Sequence, residues 1–165
     1  MGKAFFQTAN IVAGIVPADL QTGANNGDWV SLKDYGRCVA VFFKGIGTAG
    51  DDPVFTLKQA TDATGAGSKA LTFTSVYSKV GTQTGIANFT ETTQAAAATY
   101  TDAVSAEAQA IIGVEINATN LDVDGGFTHV QLSIPDVGGN AQLGCAFYIM
   151  LDPRYAGESM PSPIA

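Results

Sequence analysis

Apolar residues alternate with polar or small residues in several separate runs, and this period-two pattern constrains the fold more than any other feature of the chain. Successive side chains of a β-strand point to opposite faces, so an alternating run is typical of a strand. Glycines between the runs favour turns. Six strands are predicted, at 38–43, 55–58, 71–78, 112–117, 129–134 and 142–151, and two weaker ones at 11–16 and 87–92.

Many short strands separated by Gly-rich turns predict an all-β fold, a β-sandwich or barrel-like single domain of jelly-roll type. The 165 residues are enough for one domain that builds its core without metal or disulfide bonds. We place the β-sandwich domain at residues 11–151, between an N-terminal arm at 1–10 and an extended C-terminal tail at 152–165. The Ala-rich segment 92–110 lacks a helical apolar stripe, so it is expected to be a surface excursion between strands.

Three of the predicted strands also carry expectations about burial. Strand 38–43 is apolar on both faces, which predicts a central strand that is covered on both sides. In strand 142–151, the face that contains Leu143, Cys145 and Phe147 is the more apolar one and is expected to point into the core. In strand 129–134, the face of His129 is polar and is expected to lie at the surface.

Charge and composition exclude several classes of partner. Eight Lys and Arg stand against fifteen Asp and Glu, and the basic residues are spread singly along the chain. A nucleic-acid or anionic-membrane surface needs a basic face, so neither partner is expected. No apolar segment reaches the length of a membrane span. The two cysteines, Cys38 and Cys145, each lie in an apolar run and are expected to be reduced, unlinked and buried.

Two loops resemble ligand-binding motifs. Residues 45–50 match G-x-G-x-x-G, but two acidic residues and Pro53 follow where a dinucleotide site needs a helix, so a plain loop is expected. Asn120, Asp122 and Asp124 occupy the first ligand positions of a calcium loop, with glycine at the sixth position. The bidentate Glu of such a loop is replaced by Gln131, so these residues are at most a weak metal site within a strand connection.

No catalytic or cofactor-binding residue is predicted. The chain has one histidine, no G-x-S-x-G nucleophile motif and no acid pair with informative spacing. Contact with other subunits is instead expected from apolar residues in the two ends and from the single tryptophan, for which a place in the core is the alternative. The expected interface residues are Phe5, Phe6, Trp29, Tyr155, Met160 and Ile164.

Several stretches of the chain carry a resemblance to a known family: Trp29–Arg37, Gly47–Pro53, Leu57–Ala60, Leu121–Phe127, Asn140–Gly144 and Asp152–Tyr155. Through them, most of residues 29–155 resembles the small β-rich head decoration, or capsid cement, proteins of tailed bacteriophages. This resemblance covers structural motifs and includes no catalytic residues.

The resemblance implies a virion structural protein that is synthesised in the host cytoplasm and located on the capsid surface. Its expected partners are the major capsid protein and itself, as a homotrimer, and no cofactor is expected. Two alternatives remain at this stage: a tail or neck component of a virion, and a carbohydrate- or calcium-binding β-sandwich module.

Overall fold

The computed structural model describes residues 4–101, 108–155 and 160–164, and strands dominate it. The predicted all-β fold is confirmed. A single short helix, α1 (Gln83–Ile86), is described beside short 3-10 turns. The strands are β1 (Ala9–Asp19), β2 (Asn25–Asn26), β3 (Val30–Ser31), β4 (Tyr35–Lys44), β5 (Val54–Ala60), β6 (Lys69–Ala70), β7 (Phe73–Val80), β8 (Thr90–Ala97), β9 (Thr99–Thr101), β10 (Ala110–Asn117), β11 (His129–Ile134) and β12 (Leu143–Pro153).

The strands form two antiparallel sheets around one core. Sheet A has the order β1-β12-β4-β10-β7-β8, and sheet B has the order β2-β11-β5-β6, with β3 also paired to β11 and β9 to β5. Large side chains from both sheets fill the space between them, among them Phe42 and Tyr148 from sheet A and Phe55 and Leu132 from sheet B. Each sheet thus buries one face, which is the arrangement of a β-sandwich.

The chain passes between the two sheets several times, and two of these crossings lie along one side of the sandwich. It leaves sheet B after β6 to enter sheet A as β7, and it returns from β8 to sheet B as β9. The N–H of Leu57 donates to the carbonyl of Ala98 (2.9 Å), and the N–H of Leu71 donates to the carbonyl of Leu57 (3.1 Å). The surface excursion expected at 92–110 is therefore wrong for residues 92–101, which pair in both sheets, while 102–107 lie outside the described residues.

The two ends of the domain leave sheet A at the same edge of the sandwich. Ala9 lies opposite Leu151 in the pairing of β1 with β12, so the sheet begins two residues earlier than predicted and takes up the last residues of the expected arm. Residues 5–7 form a 3-10 turn just before β1. The G-x-G-x-x-G segment forms the loop between β4 and β5, and no helix follows it, as expected.

The polar face of β11 is not at the surface. Gln131 and Ser133 are both buried, and His129 is half-buried. The side-chain amide of Gln131 donates to the carbonyl of Gly27 (2.7 Å), which satisfies its polar group inside the protein. The expectation of a solvated face on this strand is therefore wrong. The hydrogen bond of Gln131 inside the protein offsets the cost of burying its amide.

Candidate interaction surface

The outer side of sheet A is largely apolar, and no described sheet packs on it, although the segment with Phe89 borders it. On β12, Gly144, Ala146, Tyr148 and Met150 point into the core, so Leu143, Cys145, Phe147, Ile149 and Leu151 point outwards. Leu143 is 64% exposed. The predicted orientation of this strand, with Cys145 in the core, is therefore wrong. The hydroxyl of Tyr148 explains why its face of β12 points into the core. It accepts from the N–H of Leu132 (2.7 Å) and donates to the carbonyl of Asp28 (3.0 Å).

Strand β4 presents its second apolar face on the same side. It is central, between β12 and β10, as predicted, and Cys38, Ala40 and Phe42 are fully buried. The opposite face is not covered, contrary to expectation: Phe43 is 44% exposed, although Val41 beside it is nearly buried by its neighbours.

The strand register brings these outward side chains into continuous rows across the sheet. One row runs from Ile11 through Ile149 to Val39, the next contains Phe147, Val41, Gly113 and Tyr77, and a third contains Cys145, Phe43 and Ile111. We call this surface the outer face; it consists of Ile11, Ala13, Val39, Val41, Phe43, Tyr77, Phe89, Ile111, Gly113, Leu143, Cys145, Phe147, Ile149 and Leu151.

Gly113 opens a groove in the outer face. The groove has a volume of about 290 Å³ and is lined by Val39, Val41 and Ile149 on one side, by Tyr77 and Phe89 on the other, and by Glu115 at the border with Arg37. A Cβ atom on Gly113 would lie 3.8 Å from a methyl group of Val39, so the groove exists because this position lacks a side chain. The lining is almost wholly apolar and fits an apolar side chain.

Charged residues lie only along two borders of the outer face. At one end, Arg37 donates to Glu115 (2.8 Å) and Asp152 (2.6 Å), and these carboxylates raise the pKa of its guanidinium. At the side, the ammonium of Lys79 lies 4.7 Å from the centre of the Phe89 ring. The carboxylate of Glu91 raises the pKa of Tyr77, which keeps this phenol neutral. Apart from Glu115, whose carboxylate is paired with Arg37 and also lines the groove, the described side chains inside the outer face carry no charge.

Three of the expected interface residues lie at one end of sheet A. Phe5 and Phe6 stand on the 3-10 turn before β1 and are 50% and 71% exposed, and their rings meet edge to face with centroids 5.2 Å apart. Tyr155, which follows the end of β12, is 62% exposed. Because Ala9 pairs with Leu151, both segments leave the sheet at this end. We call Phe5, Phe6 and Tyr155 the aromatic end.

The other three expected interface residues do not join this end as a group. Trp29 is half-buried, and its ring packs against Gly65, where a Cβ atom would lie 2.7 Å from Nε1. Met160 is partly buried and packs against the core of its own chain. Ile164 remains partly exposed.

The tail segment that contains Met160 is held on the domain by two hydrogen bonds. The carbonyl of Pro161 accepts from the hydroxyl of Tyr35 (2.5 Å), and the carbonyl of Pro163 accepts from the N–H of Ser31 (2.8 Å). Pro163 is buried. Residues 160–164 therefore dock on the free edge of β3, and this part of the tail is an element of the domain.

The candidate calcium ligands already have protein partners. The carboxylate of Asp122 forms an ion pair with Lys69 and accepts from the N–H of Gly125 (3.0 Å). The side-chain oxygen of Asn120 accepts from the N–H of Asn117 (2.8 Å), and Asp124 is exposed. Among the described residues, no three His, Cys, Asp or Glu side chains form a group that could hold a metal ion.

The two cysteines lie on different faces of sheet A. Cys38 is buried in the core opposite Met150, whereas Cys145 is half-buried on the outer face opposite Phe43. Five residue steps separate them along the paired strands, about 17 Å, whereas the Cα atoms of a disulfide lie within about 7 Å of each other. A bond between the two is therefore excluded, and burial raises the pKa of both thiols.

The single histidine contacts a neighbouring hydroxyl and the backbone of Thr61. Nδ1 of His129 lies 3.0 Å from Oγ1 of Thr128, and burial lowers the pKa of the imidazole although Asp62 opposes the shift. Because no carboxylate orients the ring towards a nucleophile, the geometry offers no triad.

No family model and no curated protein matches the chain. Among solved structures, the SPBc2 prophage-derived protein YomS is similar, with a TM-score of 0.45 and 10% sequence identity over 87% of this chain and 93% of that chain. This likeness is too distant to transfer a function. In the part of the chain that the structure describes, no helix is both long and apolar enough to cross a membrane.

Proposed function

We propose that this protein is a structural component of a tailed-bacteriophage virion, a decoration or cement protein that binds the outer surface of the capsid without catalysis. Its partners would be the major capsid protein and further copies of itself, as a homotrimer. Support comes from the resemblance over residues 29–155 and from apolar surfaces that suit assembly better than chemistry.

The aromatic end is the observation that carries this proposal. Three aromatic side chains project from short segments at one end of sheet A, and Phe6 and Tyr155 are each more than half exposed. Aromatic residues are enriched at the centres of protein interfaces, and a monomer gains nothing from leaving them in water. A protein partner that buries this end would gain apolar contact at little cost in ordering, because Phe5 and Phe6 already pack together.

The mechanism would be mechanical. Pressure from packaged DNA pulls the capsid subunits apart, and a protein that binds across their seams is bound only while the seam is closed. Binding to one state alone stabilises that state by mass action. The negative charge of the chain, −7, keeps it away from the packaged nucleic acid and leaves contact to the apolar surfaces.

Co-sedimentation with capsids that lack the native protein tests this proposal. The double variant Phe6→Ser, Tyr155→Ser should bind at least about tenfold more weakly, a difference of about 1.4 kcal/mol. The matched control is Ile46→Ser, because Ile46 is 68% exposed and lies in the loop at the opposite end of the sheet. Thermal unfolding of both variants should match the original chain, since the altered side chains project into solvent.

Equal binding by the double variant and the control would contradict a role for the aromatic end. The copy number in purified virions separates decoration from the alternative placement. A number comparable to that of the major capsid protein supports decoration, whereas a few copies per particle would place the protein in the tail or neck.

A further inference from the structure

The outer face of sheet A is large enough to be a protein interface. The outward residues of β12 from Leu143 to Leu151 extend about 27 Å, and five neighbouring strands span about 24 Å, which gives roughly 650 Å². This is the footprint of the face; Val41 within it is already buried, but Ile11, Phe43, Phe89 and Leu143 are each more than 40% exposed, and a contiguous exposed apolar patch is typical of an interaction site. Two such faces in contact would bury about 1,300 Å² in total, above the roughly 1,000 Å² expected of a specific interface.

We propose that the partner on the outer face is another copy of this chain, packed sheet against sheet through the same residues. The inference deepens the proposed function, on which it rests for the biological setting, by naming the surface through which the copies associate. Two sheets that pack face to face form a second apolar layer of the kind already present between sheets A and B.

Charge favours a second copy over a charged partner. The chain carries a net charge of −7, so most pairs of surfaces would repel when two copies meet. From Val39 to Phe43 and from Leu143 to Leu151, however, no outward side chain is charged. The outer face is therefore the part of the surface on which two copies approach without like-charge repulsion.

Shape favours the same partner. The face contains both a groove at Gly113, of about 290 Å³, and exposed apolar side chains such as Phe43 and Leu143. A surface that carries both a groove and projecting side chains can be complementary to itself, as an interface between identical chains requires. Two copies on a two-fold axis satisfy this condition, and three copies bury the face if their outer faces meet around a three-fold axis.

Analytical ultracentrifugation of the full chain over about 1–100 µM tests the inference, because this range brackets micromolar dissociation constants. We expect a mass of two or three chains. Phe43→Glu should raise the dissociation constant at least tenfold, because it places a charge inside the apolar contact. Leu143→Glu is the second variant; its side chain is mostly exposed in one copy, so the fold should tolerate the change. Val123→Glu is the matched control, because Val123 is 61% exposed and lies in the loop between β10 and β11, among residues that do not belong to the face.

Gly113→Ala is an independent test, because it should weaken self-association without lowering the stability of the fold. The added Cβ meets only ordinary contacts, and alanine is preferred to glycine inside a strand, so thermal stability should stay equal or rise. The methyl group partly fills the groove, so self-association should weaken.

A chain that stays monomeric up to the highest concentration overturns the inference, as does equal association by Leu143→Glu and Val123→Glu. Capsid binding by such a monomer would leave the decoration role standing and refute the homotrimer. Self-association through the face without capsid binding would leave the inference standing and refute the proposed function.

Discussion

Removal of residues 160–165 should destabilise the domain itself, because this segment docks on β3. The hydroxyl of Tyr35 donates a hydrogen bond to the carbonyl of Pro161, and the N–H of Ser31 donates to the carbonyl of Pro163. Met160 packs against the core, and Pro163 is buried. Truncation breaks both hydrogen bonds and leaves the hydroxyl of Tyr35 without this partner.

The size of the effect follows from these contacts. Two hydrogen bonds contribute about 1 kcal/mol each. Burial of Met160 and Pro163 adds about 2–3 kcal/mol together. Ordering the segment costs about 3 kcal/mol, less than for five unrestricted residues, because two prolines already restrict the unfolded chain. The free energy of unfolding should therefore fall by about 1–2 kcal/mol, which lowers Tm by about 2–8 °C in a chain of this length.

A double-mutant cycle by guanidinium denaturation measures the docking directly. Tyr35→Phe should cost about 1 kcal/mol more in the full chain than in the truncated chain, because truncation removes the hydrogen bond to Pro161 while the one to Asn10 is present in both. Tyr155→Phe is the matched control, because Tyr155 is exposed and should have no effect in either chain. The docking is refuted if truncation leaves the midpoint unchanged, or if Tyr35→Phe costs the same in both chains.

Four further outcomes are expected. Tyr148→Phe should lower the free energy of unfolding by about 1–3 kcal/mol in denaturant titrations, because a buried backbone N–H loses its acceptor. Iodoacetamide should label Cys145 alone in the folded chain and Cys38 as well after unfolding, by intact mass; a two-hydrogen mass deficit without labelling would mean a disulfide instead. Chelation should leave Tm unchanged, because the carboxylate of Asp122 is already paired; a fall reversed by calcium would make it a ligand. Burial lowers the pKa of His129, so the unfolded chain binds a proton more readily than the folded chain, and stability falls as pH drops below the ordinary histidine pKa. His129→Gln should flatten this dependence of stability on pH between about pH 7 and pH 5 in denaturant titrations. An unchanged slope would contradict the prediction.

Alternation predicted the strands better than it predicted their orientation. The strands at 38–43 and 112–117 were located correctly, because period-two patterns identify strands wherever they lie. The same pattern cannot decide which face is buried when both are apolar. On β12 the more apolar face points outwards. The hydroxyl of Tyr148 forms two hydrogen bonds with backbone groups inside the core, whereas the side chain of Leu143 forms no hydrogen bond in either orientation.

The candidate surface could be predicted only in part for the same reason. Phe5, Phe6 and Tyr155 stood out as apolar residues near the ends, and they are exposed as expected. The outer face was missed, because its residues were assigned to the core on hydrophobicity alone. The available signal was the double apolar face of 38–43, which indicates either a covered strand or an interface.

The pairing of β1 with β12 has a consequence for synthesis on the ribosome. β12 lies between β1 and β4, so β1 has no neighbour and β4 has one open edge until residues 143–153 have been made. Sheet formation thus depends on contacts between residues more than a hundred positions apart, and such contacts form slowly. During that interval the apolar strands of a growing chain are open to aggregation, and holdase chaperones should matter most for this protein just before β12 emerges.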